Sequence, residues 1–474
     1  MNNAIIVLGR HMPVMSLISR TLRYLQVYCE MLPVETPTAE VLARQPKGII
    51  LAEGQESFSL PELTALAEKL PVLVLGELAA KLCEALGGEV GDPLPAEQGV
   101  TFGFSENPLF EGIAGGKRMF SGLRPFALAG PLAPIATATE RCIGFRHQEL
   151  PLYAMQYPIE HNDPDAAKLL HNFACLICGA KADWSEDAIL ERAVEAIRSA
   201  AGAGRVLCAV SGGVDSSVCA KLAHMAVGDQ LDCVFIDTGF FRQNEPAEIL
   251  SACQDLLGLS VRYINEKSRF MEAVAGVSDR AQKETRVTGL INRILLEQHR
   301  ESERYTIVLG TNLNDRLYGA ASGSHWALPE TSRAVEPMAE LFKEEVRSLA
   351  QAMSMPPSVA SRQPFPTGGL ALRIFGEVTE EKLTLLRAAD ALFVEEVCTG
   401  GHGKRLWQYY AEAIELPPGG KENQVVALRA LQLAQTGTYA ARLPYDLLER
   451  VTHRILAEVP GVSRVIYDLT PGTR

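Results

Sequence analysis

The chain lacks any run of about eighteen apolar residues, the length a helix needs to cross a bilayer. Its opening stretch, MNNAIIVLGRHMP, is too short in its apolar part to read as a secretory leader. A surplus of positive charge is also missing: 45 Lys and Arg against 57 Asp and Glu leave a formal charge of −12 and a pI near 5.4. General nucleic-acid and membrane-surface binders need a basic patch, so neither nucleic acid nor membrane is expected as a partner. The ten cysteines are sparse in 474 residues, and several (Cys208, Cys219, Cys233) sit in apolar runs, which excludes a disulfide framework. Only Cys175 and Cys178 have CxxC spacing, with no second CxxC or His pair, so packed thiols are expected there. No internal repeat or low-complexity tract occurs. What remains is a cytoplasmic globular protein, 47% apolar, long enough for two or three domains.

Buried-type strands at 4–8, 48–51 and 72–74 alternate with helical stretches, as in an α/β layer ending near Trp184. An amphipathic helix over 187–201, with Ile189, Ala193, Ile197 and Ala200 on one face, introduces a second region. There, strands at 206–210, 233–237, 261–264 and 306–309 predict a parallel sheet, whose ligands gather at the strands' C-terminal ends. Ser211, Asp237 and Gly310 fall at those ends. After 364–369 a smaller α+β region follows, with a helix over 380–397 and β-prone stretches at 425–428 and 464–467.

The most informative segment is Ser211-Gly212-Gly213-Val214-Asp215-Ser216-Ser217, between a β-prone run and a helix expected over 216–226. Two glycines let backbone approach a ligand, three hydroxyls add donors, and the first helical turn offers unpaired N–H groups. That is a phosphate cradle. Adjacent glycines and the missing lysine set it apart from GxxxxGK[ST]. An acid at 215 beside a phosphate site makes sense mainly with Mg²⁺ between them. The segment resembles the SGGxDS loop of ATP pyrophosphatases, which cleave ATP between the α and β phosphates.

Around it, SGGVDSSV at 211–218, VFIDTGFFRQNE at 234–245, GTNLNDRLYGAAS at 310–322, VEPMAELFKEEVR at 335–347, RQPFPTGGLALRIFGEVT at 362–379, RAADALFVEE at 387–396 and the run at 441–470 resemble the GMP synthetases over nearly the whole length. The resemblance implies a class I glutaminase-like α/β domain over 1–184, an ATP pyrophosphatase parallel-sheet domain over 185–369 and a small α+β dimerisation domain over 370–474. It further implies ATP and Mg²⁺ as cofactors. Ser211, Gly212, Gly213, Val214, Asp215, Ser216 and Ser217 would hold the pyrophosphate, with Asp215 toward the metal. Asp237 and Arg242 would border the nucleotide, and Gly310, Thr311 and Asp315 the reaction centre. Lys343 would neutralise phosphate charge; Asp215, Lys343 and Asp315 are the candidate catalytic residues.

Two departures follow from the same alignment. A glutaminase needs a cysteine at a sharp strand-to-helix turn, a histidine base and an orienting glutamate. The nucleophile position holds Gly76, the base position Pro158, and only Glu160 survives. The oxyanion turn reads Ala52-Glu53-Gly54-Gln55, placing a carboxylate where negative charge would develop. Cys83, seven residues beyond Gly76, and His161 are poor substitutes, so glutaminase activity is expected to be absent. In the acceptor site, the lid motif shrinks to 323–329, losing a lysine, an asparagine and two glycines. An Arg- and Gly-rich segment shortens to 416–424, and the family's closing K-P-P-x-T-I-E-W-E has no counterpart before Arg474. The expected function is therefore adenylation of a carbonyl oxygen on a purine nucleotide, xanthosine monophosphate or an altered acceptor, for amination by ammonia or a partner-supplied nitrogen. Two alternatives stand beside it: sulfur insertion using Cys175, Cys178 or Cys398, and a non-catalytic ATP-binding scaffold. A homodimer through the C-terminal domain is implied.

Overall fold

The structure is a computed structural model that describes residues 3–52, 59–95, 99–118, 120, 122–160, 163–298, 305–317, 332–360, 362–415, 424–434 and 437–471. The turn at 53–55, His161, the lid at 323–329, the segment 416–423 and the terminal 472–474 lie outside the described residues. The chain divides into two compact units, Met1–Ala188 and Ile189–Arg474.

In the first unit the apolar runs Ile5–Gly9, Gly48–Leu51 and Val72–Leu75 are buried along their whole length. Full burial on both faces is what parallel strands covered by helices require. Side chains alternate between the two faces: Ile5 and Val7 enter one apolar cluster, Ile6 and Leu8 the other. The sheet has nine strands, in the order Cys29–Pro33, Ile5–Gly9, Gly48–Leu51, Val72–Leu75, Leu152–Met155, Arg141–His147, Leu132–Ala138, Val100–Phe104, Gly116–Arg118. The first five pair in parallel and the remainder antiparallel. The antiparallel half carries no unbroken apolar run, and the α/β alternation of the sequence does not foretell it.

The second unit carries two five-stranded sheets. The first runs Val261–Asn265, Leu231–Asp237, Arg205–Ala209, Tyr305–Val308, Ser332–Val335, every pair parallel. The central strands are largely buried and β-prone, and their C-terminal ends open on one edge. In the second sheet, Ile374–Phe375, Gln408–Glu415, Gln424–Ala434 and Gly437–Ala440 follow in order, and Val462–Tyr467 pairs with Gln424–Ala434. Helices Glu380–Thr399 and Tyr445–Glu458 cover one face of it. One apolar cluster, from Leu207 and Val234 through Leu370 to Val426 and Val459, runs from the first sheet into the second.

Candidate active site

Strand Arg205–Ala209 delivers the chain into the loop, and helix Val214–Val227 leaves it. Gly213 is the helix N-cap, with extended ψ and no side-chain cap, so the first-turn N–H groups stay open to a ligand. Gly212 has φ of +80°, a conformation that favours glycine. Ser211 N–H donates to Ser216 Oγ at 3.1 Å, the two hydroxyls lie 3.0 Å apart, and Ser216 Oγ donates to the Gly213 carbonyl at 3.1 Å. The loop is thereby closed into a tight bowl with Ser211 on its exposed rim. Val214 and Ser217 point into the core instead, and Ser217 is 2% exposed.

Helix Lys343–Ala352 packs against Val214–Val227 and brings two first turns together. The Lys343 ammonium pairs with Asp215 Oδ2, while Asn312 Nδ2 donates to Asp215 Oδ1 at 3.3 Å. A lysine at the start of a helix opposes the macrodipole. Asp215 offsets this cost. Asn312 and Asp315 cap the short helix Leu313–Leu317 reciprocally: Asn312 N–H donates to Asp315 Oδ2 at 3.0 Å and Asp315 N–H to Asn312 Oδ1 at 3.2 Å. Burial, and then the charge of Asp215, hold the Asp315 carboxyl above the usual carboxylate range, against the Asn312 bond and Lys343, which lower it. Gly310 closes the floor, since a Cβ there would lie 3.2 Å from the Asp215 carbonyl. Thr311 donates to Glu336 at 2.8 Å, and Glu336 also meets Arg316 at 3.2 Å.

Asp215, Asn312, Asp315 and Lys343 therefore form one cluster beside the loop. Asp237 and Arg242 have other partners. Asp237 is 1% exposed and accepts from Gly239 N–H, the Tyr263 hydroxyl (2.6 Å) and Lys267. Burial and that bond push Tyr263 up to about 12. Arg242 Nε lies 2.9 Å from Asp390 Oδ2, and its guanidinium rests over Phe365. Asn312 is a site residue that sequence reading passed over; its signal was the N-x-x-D capping spacing inside GTNLND.

The donors near the loop are carboxylate, hydroxyl and amide oxygens, the hard ligands Mg²⁺ takes. Among the described residues no three His, Cys, Asp or Glu groups could hold a metal by themselves. The like-charge pressure of Asp215 on Asp315 is what a dication would relieve.

In the first unit Gly76 caps helix Glu77–Ala85 at φ +70°, ψ −141°, a sharp strand-to-helix turn of nucleophile-elbow type without a nucleophile. Pro158 is half-buried and Glu160 exposed. Beside them Tyr157 is bound to Arg118 at 2.7 Å and Asp163 at 3.1 Å. Cys83 is fully buried in the helix, and burial first of all pushes its thiol up to about 11. Alkylation of the native protein with iodoacetamide at pH 8 should modify exposed Cys398 and leave Cys83 untouched. Labelling of Cys83 at the rate of Cys398, read by peptide mass, would contradict its packing role. Cys175 lies within a π-helical turn, Asn172–Ile177, and Cys178 caps its C-terminal end, packed so close to Gly48 that a Cβ there would lie 2.2 Å from its sulfur.

An uncapped helix N-terminus after an SGGVDSS bowl, at the C-terminal edge of a parallel sheet, defines a nucleotide domain of the ATP pyrophosphatase class. Residues 188–385 match the family described as NAD synthase, and residues 395–473 the GMP synthase C terminal domain. A glutamine-hydrolyzing GMP synthase of Carboxydothermus hydrogenoformans is 34% identical over 492 residues, covering 96% of this chain and 95% of its own. Those of Heliobacterium modesticaldum and Gloeobacter violaceus are also 34% identical, over 501 and 499 residues, with 96% and 90% of their own lengths covered. The chain belongs to the GMP synthase family. No helix among the described residues is long and apolar enough to cross a membrane.

Proposed function

We propose that the chain is a GMP-synthase-type ATP pyrophosphatase that adenylates a carbonyl oxygen of a purine nucleotide, xanthosine monophosphate or an altered acceptor, for amination by ammonia, without hydrolysing glutamine. The observation that carries this reading is the open loop at 211–217 with Lys343 and Asp215 paired at its mouth. Loop N–H groups and the Ser211 hydroxyl bind the β and γ phosphates. The acceptor oxygen attacks the α phosphorus, the bond to the β-phosphate oxygen breaks, and pyrophosphate leaves with that electron pair. Ammonia then adds to the activated carbon, gives up a proton, and AMP departs. Asp215, with the substrate's own phosphates, would hold Mg²⁺, which supplies neutralisation of the leaving charge. Lys343 adds a fixed cation at the same point, and catalysis is mainly positioning and charge stabilisation.

Loss of the glutaminase is supported by Gly76, which has no side chain to attack with, and by Pro158, which cannot accept a proton. Pyrophosphate release over a panel of purine nucleotides, with ammonium, glutamine or sulfide supplied separately, tests the whole reading. Release with ammonium and one nucleotide is expected. Sulfide-dependent release points to sulfur insertion, and binding of ATP without release to a scaffold; either outcome overturns the proposal.

Dimerisation through the second sheet belongs to the same proposal. On the face turned away from its helices, Phe375, Leu433 and Ile466 are 50%, 66% and 40% exposed. Exposed apolar residues gathered on one sheet face favour association. Light scattering at micromolar concentration should give twice the 51.5 kDa chain mass, and a monomeric mass would contradict the dimer.

A further inference from the structure

The loop is held from behind as well as from the ligand side. Arg362 Nη1 donates to the Gly212 carbonyl at 3.1 Å, and Arg362 Nη2 meets Glu245 Oε1 at 2.5 Å. Glu245 is 2% exposed, and its other oxygen accepts the Arg242 N–H at 2.7 Å, so the carboxylate is fixed on both sides. A Cβ on Gly212 would lie 2.6 Å from Arg362 Nη1 and 2.5 Å from Ile249, which places loop and clamp in direct contact. In a trans peptide the Gly212 carbonyl and the Gly213 N–H point in opposite directions. Drawing the carbonyl toward Arg362 therefore turns the Gly213 N–H away from it. Among the described residues nothing accepts that N–H.

The two residues after Arg362 are tied to the second sheet, and the third packs under two arginines. Gln363 Oε1 accepts the Tyr409 N–H at 3.0 Å, Gln408 Nε2 donates to the Pro364 carbonyl at 3.1 Å, and Phe365 lies beneath the guanidinium groups of Arg242 and Arg373 at 5.2 and 4.9 Å. Residues 362–365 thus run from the phosphate loop to strand Gln408–Glu415 without a break.

We propose that Arg362, clamped by Glu245, is a positioning residue for the pyrophosphate loop: it fixes the Gly212 peptide so that the Gly213 N–H faces the phosphates, and through 363–365 it makes the loop depend on how the second sheet is seated. The role in binding rests on the nucleotide reading above, whereas the ordering of the peptide does not.

The test uses the full chain with Arg362→Ala, Arg362→Lys and Glu245→Gln, circular dichroism as the folding control, amide hydrogen exchange of 211–217 without ligand, and Mg·ATP affinity by calorimetry. In Arg362→Ala, exchange at Ser211 and Ser217, whose N–H groups donate to Ser216 Oγ and to the Gly213 carbonyl, should rise and affinity fall, each by about tenfold or more. Arg362→Lys should recover part of both, and Glu245→Gln should shift them less in the same direction. Partial rescue by lysine marks positioning, which a general loss of packing would not show. Exchange unchanged in all folded variants overturns the clamp, as does unchanged affinity where the wild type binds. A wild type that binds no Mg·ATP overturns the nucleotide reading instead, and exchange alone then decides the clamp. If Arg362→Ala fails to fold, the same comparison in the other two variants decides it.

Discussion

Asp215→Asn is expected to reduce Mg·ATP-dependent pyrophosphate release by about a thousandfold, roughly 4 kcal/mol of lost transition-state stabilisation. The substitution keeps the shape of the side chain and the bond from Asn312, so far-ultraviolet circular dichroism should not change. What it removes is the negative charge that would draw a dication to the loop and that now holds Lys343 in place. It also removes the like charge that helps raise the Asp315 carboxyl, so Asp315 should titrate lower in the variant, measurable by carboxyl NMR. Lys343→Met acts in the opposite sense: without the ammonium, Asp315 should titrate higher. Near-wild-type turnover in Asp215→Asn, with the fold intact, would remove Asp215 from the mechanism.

The second large effect concerns glutamine. The wild type should turn over with ammonium and give none with glutamine, and Gly76→Cys should not restore it. A thiol at position 76 would have no base, because Pro158 stands where a proton acceptor is required. It would also be strained. The turn at φ +70°, ψ −141° lies in a region essentially reserved for glycine, so a side chain there should cost on the order of 1–3 kcal/mol and lower the unfolding midpoint by several degrees. Glutamate formation by purified wild-type protein, coupled to pyrophosphate release, would overturn the claim that this domain is chemically silent.

The parts of the fold legible in the sequence are those written as buried apolar runs. Gly48–Leu51, Val72–Leu75 and helix Glu380–Thr399 fall within a residue or two of where hydrophobic pattern places them. Helix Val214–Val227 begins two residues before the expected start, because Gly213 caps it with backbone alone and leaves the serine hydroxyls to bind one another. Strand Ser332–Val335 escaped notice because an edge strand needs no long apolar run. The antiparallel strands 100–104, 132–138 and 141–147 escaped it because threonine, proline, glycine and basic residues interrupt their apolar pattern.

The site was legible where its chemistry is contiguous, as in 211–217, and through family resemblance where it is not. Asp215 and Lys343 stand 128 residues apart, and nothing local to either announces the other. Asn312, Glu245 and Arg362 were missed for the same reason: each reads as an ordinary polar residue until the sheet edge brings it to the loop. Asp315 was read as a reaction-centre acid. Its position in the structure gives it a second task, capping the turn that presents Asn312 to Asp215.

ATP is expected to be consumed by adenylating an acceptor oxygen. The most direct test supplies the acceptor identified by the nucleotide panel with ¹⁸O in its reactive carbonyl, together with Mg·ATP and ammonium, and examines the products by mass spectrometry. One ¹⁸O is expected in the phosphate of AMP, with pyrophosphate unlabelled and formed in equal amount. AMP without the label, or ADP and labelled inorganic phosphate in its place, would contradict it.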